Sequence, residues 1–200
     1  MVRDAYKFVL PVLMLGILFA FCGFAVLALF FLAVAAFFCY FFRNPRRSLP
    51  PGAKLILSPA DGKVVRILRP AGAETTVSIF LNIFDVHVNR SPIQGRIENL
   101  EYKRGKFKAA YEDEASRVNE QNVITITGES IRVIVRQIAG LIARRVVCWK
   151  KPGDSVQRGE LIGLIRFGSR VDVVLPKEAK VLVSEGDRVR GGSSILGEYP

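Results

Sequence analysis

The chain has 200 residues, a formal net charge of +11, one histidine and three cysteines. That length suits one globular domain with an appended segment and leaves enough chain for a real core. Cys22, Cys39 and Cys148 lack metal-like spacing; this excludes a disulfide framework, suits a reducing compartment and predicts no metal. No motif interleaves aromatics with the basic residues, so nucleic acid is not an expected partner despite the charge.

Residues 8–42 form a run of 35 without a charge, dominated by Leu, Phe, Ala and Val. A membrane helix needs about 20 such residues, and 35 would span about 52 Å against a hydrocarbon core of about 30 Å. The run is therefore two short helices broken near Cys22-Gly23 or one long tilted helix. It is too long for the apolar part of a signal peptide, and it lacks the polar face of a soluble core helix. Arg3 and Lys7 precede it, and Arg43, Arg46 and Arg47 follow it. Basic residues on both flanks favour a re-entrant hairpin or two spans, with both ends and the rest of the chain on the cytoplasmic side of the cell membrane. Residues 1–43 are thus a membrane segment. The proline-rich stretch 44–53 is a linker.

Beyond Lys54 the pattern is β. Short runs rich in Val, Ile and Thr cover 64–68, 75–81, 97–102, 123–127, 131–137, 146–149, 161–167, 171–175, 179–184 and 194–197. Only 138–144 and 109–117 read as helical. Many short strands with Gly and Pro turns predict a mainly β sandwich or barrel over 54–200. Gly153-Asp154-Ser155-Val156-Gln157-Arg158-Gly159 recurs 33 residues later as Gly186-Asp187-Arg188-Val189-Arg190-Gly191-Gly192, each copy followed by an apolar strand. Two such turns suggest quasi-symmetric halves, a layout that resembles the barrel-sandwich of lipoyl and biotinyl domains. Those carriers present a lysine at a hairpin tip; here Arg166-Phe167-Gly168-Ser169-Arg170 takes that place.

The Gly168-Ser169 pair sits between two strand-like runs. A serine hydroxyl one residue after a carbonyl has the spacing for an N→O acyl shift, but serine is a weak nucleophile without a base and an orienting group. His87 is the sole imidazole, and Asp61 lies in an acidic turn, Ser58-Pro59-Ala60-Asp61-Gly62. Taken alone, these residues also fit a strand histidine, a turn aspartate and a turn Gly-Ser.

Several stretches in order carry a resemblance. They are Phe41-Phe42-Arg43-Asn44-Pro45, Ser58-Pro59-Ala60-Asp61-Gly62-Lys63-Val64, Asp85-Val86-His87-Val88-Asn89-Arg90-Ser91-Pro92, Gly105-Lys106-Phe107 leading to Asn119-Glu120, Gln137-Ile138-Ala139-Gly140, and Arg166-Phe167-Gly168-Ser169. Together they resemble the phosphatidylserine decarboxylase proenzymes of the short, single-histidine type, from about Arg43 onward. The resemblance implies self-cleavage between Gly168 and Ser169, leaving a pyruvoyl cofactor where Ser169 stood. It implies a large subunit, 1–168, held to a small one, 169–200, as a heterodimer. His87 would be the base, oriented by Asp61. The implied reaction converts phosphatidylserine in the membrane to phosphatidylethanolamine, a step of phospholipid biosynthesis. Larger members place a second histidine where this chain has Arg90, so Arg90 is a candidate ligand for a carboxylate or phosphate. Lys106 and Phe107, in a basic-aromatic stretch, are candidate contacts to the lipid head. Two alternatives stay open from the residues: the same chemistry on an archaeal ether-linked phosphoserine lipid, and a membrane-anchored, lipoyl-like adaptor barrel without catalysis.

Overall fold

The computed structural model describes residues 1–106, 118–140, 145–166 and 169–200. The chain divides into two compact units, Met1–Pro45 and Arg46–Pro200.

In the first unit a short turn leads into α1 (Tyr6–Phe21), and α2 (Ala25–Phe41) follows. The apolar run is therefore two helices. Gly23 breaks it at φ +79, a conformation open to glycine, and its N–H reaches back to the Ala20 carbonyl at 3.2 Å. The helices return on each other: Phe19 stacks on Phe31 at 5.3 Å between ring centroids and Phe8 on Phe42 at 5.5 Å. The Arg3–Phe21 stretch is long and apolar enough to cross a membrane, whereas Ala25–Phe41 is shorter.

The second unit is mainly β. Its strands are β1 (Leu55–Leu57), β2 (Gly62–Leu68), β3 (Thr75–Leu81), β4 (Val88–Arg90), β5 (Gly95–Lys103), β6 (Gln121–Thr127), β7 (Arg132–Ile138), β8 (Val146–Cys148), β9 (Ser155–Val156), β10 (Leu161–Ile165), β11 (Ser169–Leu175), β12 (Lys180–Val181), β13 (Arg188–Val189) and β14 (Ile195–Glu198). A curled sheet of eight runs β13-β2-β3-β11-β7-β6-β5-β9, and two sheets of three run β1-β14-β12 and β4-β10-β8. Period-2 alternation sends Val64, Val77, Ile79, Ile124, Val135 and Val171 into one core. Strand β11 departs from alternation, with every residue buried.

The internal repeat is realised in three dimensions. Strands β9 and β13, one from each Gly-Asp turn, occupy the two opposite edges of the large sheet. In one half Ile97 N–H donates to Asp154 O and Gly153 N–H to Ile97 O; in the other Val64 N–H donates to Asp187 O and Gly186 N–H to Val64 O, all at 2.8 Å. The repeat also takes in Ser58-Pro59 and Ser91-Pro92, whose hydroxyls donate to Ala60 O and Ile93 O at 2.7 Å.

Three expectations are corrected. Residues 138–144 are not a helix where described: Ile138 ends β7, and the Ala139 N–H donates to Glu120 O at 2.9 Å. The run 179–184 shortens to β12, paired with β14, and one further bond to that strand follows, from the Leu182 N–H to Leu196 O. Ser169 and Arg170 are not a hairpin tip. They begin β11 and are buried, and β10 and β11 belong to different sheets. The expected helix at 109–117 lies outside the described residues.

Gly163 in β10 tests this packing. A Cβ there would stand 2.1 Å from Val147 O and 2.9 Å from Gln137 Nε2. Gly163→Ala should cost about 1–3 kcal/mol, as overpacked sites do. A thermal melt should show a lower Tm than wild type; an unchanged Tm would contradict the close approach.

Candidate active site

The register of the large sheet defines one end of it. A single row of paired residues runs Lys63, Phe80, Arg170, Ile138, Gln121, Lys103. Ser169 lies one step beyond this row, opposite Leu81 of β3. It is wholly buried, and its hydroxyl has no hydrogen-bond partner. An orphaned hydroxyl in a packed strand costs free energy and calls for an explanation beyond folding. Gly168 lies outside the described residues.

His87 comes to the same end of the sheet by a short path. After Leu81 the chain makes a turn at 82–85 and enters β4 just past His87. The Asp85 N–H donates to Asn82 O at 3.0 Å, and the Asn82 N–H to Asp85 Oδ2 at 2.9 Å. The His87 carbonyl accepts from Ile165 N–H at 3.1 Å, tying it to the end of β10, four residues before Ser169. The ring is buried, with Nδ1 3.0 Å from the Asp85 carbonyl. A carbonyl only accepts, so Nδ1 carries the proton and the lone pair falls to Nε2.

Asp61 has different described partners. Its carboxylate accepts from Arg47 at 2.7 and 2.9 Å and from the Gly191 N–H at 2.8 Å. Arg90 belongs to this cluster. Burial lowers its pKa first and the Arg47 charge second, with Asp61 partly offsetting both. Arg90 also donates to Gly159 O at 2.8 Å. Arg47 keeps a buried Nε–H without a partner. Among the described residues, two guanidinium groups gather around this one carboxylate in a partly buried place, an arrangement suited to an anion. Lys106 is exposed beyond the end of β5, bridged to Asn119. Phe107 lies outside the described residues. Among the described residues no group of His, Cys, Asp and Glu could hold a metal ion.

Sequence reasoning missed a buried amide chain. Asn122 Nδ2 donates to Gln137 Oε1 at 3.0 Å, and Gln137 Nε2 to Asn89 Oδ1 at 2.8 Å. Gln137 pairs with Val171, so its side chain shares a face with Ser169 on the adjacent strand. The other face carries Arg170, held by Asp172 at 2.6 Å and by Ser78 at 2.8 Å. The signal was present: amides and charges at positions that alternation assigns to the interior.

Comparison with known proteins fits this geometry. Residues 34–197 match the sequence model of the phosphatidylserine decarboxylase family. The phosphatidylserine decarboxylase proenzyme of Solibacter usitatus is 54% identical over 166 residues, 82% of this chain and 80% of that one. The same-named protein of Syntrophus aciditrophicus is 49% identical over 175 residues, 84% and 82% of the two chains. That of Carboxydothermus hydrogenoformans is 43% identical over 204 residues, 98% and 95% of the two. With most of its length matched, and with its buried serine and lone histidine at one sheet end, this chain belongs to the phosphatidylserine decarboxylase family.

Proposed function

We propose that this chain is a pyruvoyl-dependent phosphatidylserine decarboxylase that matures by cutting itself between Gly168 and Ser169. The observation that carries the reading is the Ser169 hydroxyl, fully buried and unpartnered at the start of a strand hydrogen-bonded on both sides. Such an atom is poorly explained as structure and well explained as a nucleophile that is consumed.

In self-cleavage the Ser169 oxygen attacks the Gly168 carbonyl and the amide becomes an ester. The ester is then eliminated: Gly168 leaves as a carboxylate, and the Ser169 α-carbon loses its proton. The resulting enamine tautomerises, and water replaces its nitrogen, which leaves as ammonia. His87 Nε2 is the base for the first transfer, with the ring oriented by the Asp85 carbonyl. Asp61, expected from sequence to orient the imidazole, we assign to holding Arg47 beside Arg90. Residues 169–200 would stay attached after the cut, because β11 pairs with β3 and β7, β13 with β2 and β14 with β1.

A pyruvoyl group fits at position 169, since it removes the orphaned hydroxyl. When formed, its ketone takes up an amine and acts as the electron sink for loss of carbon dioxide. The chain's own residues bind and orient the lipid. Arg90 and the unpartnered Nε–H of Arg47 receive the phosphate or carboxylate of the head. His87 returns a proton, and Lys106 draws the anionic head toward the site. The apolar N-terminal helices hold the protein in the membrane, and their basic flanks put the β unit on the cytoplasmic side.

Ser169→Ala should remain one chain and release no carbon dioxide from phosphatidylserine vesicles; normal cleavage would remove Ser169 from the reaction. His87→Ala should slow the cut by about 10²–10⁴-fold, the range of general base catalysis. A time course on denaturing gels measures this, and a wild-type rate would refute the base. Arg47→Met should raise the KM for phosphatidylserine about 10–100-fold, the worth of one charged hydrogen bond, with partial rescue in Arg47→Lys. An unchanged KM in fully processed Arg47→Met would place the anion site elsewhere.

A further inference from the structure

We infer that the turn at 82–85 is a bilayer-inserting element that sets the reactive end of the β unit at the surface of an anionic membrane. This rests on the proposed function only in that the substrate is a lipid.

The turn displays Phe84 at 64% and Ile83 at 37% exposure, side by side. Scattered exposed apolar residues are ordinary; a neighbouring pair at the tip of a built turn is not. The turn is fixed on every side. Phe84 N–H donates to Asn82 Oδ1 at 2.8 Å, Asn82 N–H to Asp85 Oδ2 at 2.9 Å, and Asp85 Oδ1 accepts from Arg188 at 3.1 Å. A floppy loop could fold its apolar residues under; this one holds them out.

Its position is the second observation. The turn begins one residue after Leu81, the register partner of Ser169, and its last residue supplies the carbonyl on His87 Nδ1. Whatever surface receives Phe84 therefore lies against the reactive end.

Charge names that surface. Lys63 and Lys103 lie in the row of paired residues at this end, which continues from Lys63 to Arg188 of β13, and all three are exposed. Arg104 and Lys106 follow β5, and Arg188 sits on the turn itself. Of the described acids here, Asp85 is paired with Arg188, Glu101 with Lys103 at 3.3 Å, and the mostly buried Glu120 lies beside Tyr102, so these five bases outnumber the three acids. An apolar tip at an end that carries more bases than acids complements a bilayer with anionic headgroups, where basic residues act within about one Debye length, roughly 8–10 Å. A protein partner would not need the bases; an aqueous anion would not need the phenyl ring.

The experiment uses the full chain in phosphatidylcholine vesicles containing phosphatidylglycerol, with Phe84→Trp added to the single native Trp149. Brominated lipid should quench the added fluorescence beyond the wild-type loss, and vesicles should shield it from aqueous iodide. A tryptophan at 84 equally open to iodide with and without vesicles would overturn the inference. As the second arm, the Ile83→Ser, Phe84→Ser variant should decarboxylate phosphatidylserine in vesicles about tenfold or more slowly, while its rate on monomeric short-chain phosphatidylserine stays at wild type. Equal losses on both substrates would assign the turn a structural role and overturn insertion. If wild type acts on neither substrate the proposed function fails, and the quenching still decides for or against insertion.

Discussion

The structure depends on one strand. Residues Ser169 to Leu175 of β11 are buried on both faces and hydrogen-bonded along both edges, to β3 and to β7. Full burial on two faces demands either an apolar run or satisfied polar groups. β11 uses both: Val171, Val173 and Leu175 fill the core, while Arg170 and Asp172 neutralise each other beside Ser78. A pair this deep gives little net stability against the same space filled with apolar side chains, and it becomes costly if either partner is lost. It does fix the register of the strand, and with it the position of the residue just before Arg170. Ser169 is immobilised by the strand it begins.

The quasi-symmetry shows how one corner differs from its counterpart. The two halves share their turns, their edge strands and their Ser-Pro hydrogen bonds, so each half builds the same backbone frame. The frames differ in what they carry. Where one half has Asp61 after its Ser-Pro, the other has Gln94, and where the end of β4 supplies Arg90, the end of β1 supplies Leu57. One corner thus holds the arginines and the carboxylate, while its counterpart is a groove whose lining includes Gln94, Lys54, Arg158 and Glu129. A repeated scaffold supplies the same frame twice; the charged cluster is written once.

Much of this was legible in the sequence. The apolar run, its break at Gly23 and most long strands follow from hydrophobic pattern and glycine placement. Strand β3 matches its expected bounds because Thr75 to Leu81 alternates between flanking turns. What failed was context. Ser169 reads as a turn residue because Gly-Ser marks turns; burial between β3 and β7 overrode that local preference. For Asp61, no local rule announces that Arg47, 14 residues upstream in a proline-rich linker, would bind it. The amide chain of Asn89, Gln137 and Asn122 joins three strands, and only tertiary pairing brings them together. His87 was visible in the sequence, but the Asp85 carbonyl that its Nδ1 meets is a contact that sequence cannot single out.

The central claim is that the Ser169 hydroxyl is consumed. Mass spectrometry of the purified wild-type protein under denaturing conditions tests it most directly. The account predicts two chains, ending at Gly168 and beginning at position 169, with the smaller lacking a free amino terminus and carrying the mass of a pyruvoyl group. A single chain of 22.2 kDa, or a small chain that begins with an intact serine, would contradict it.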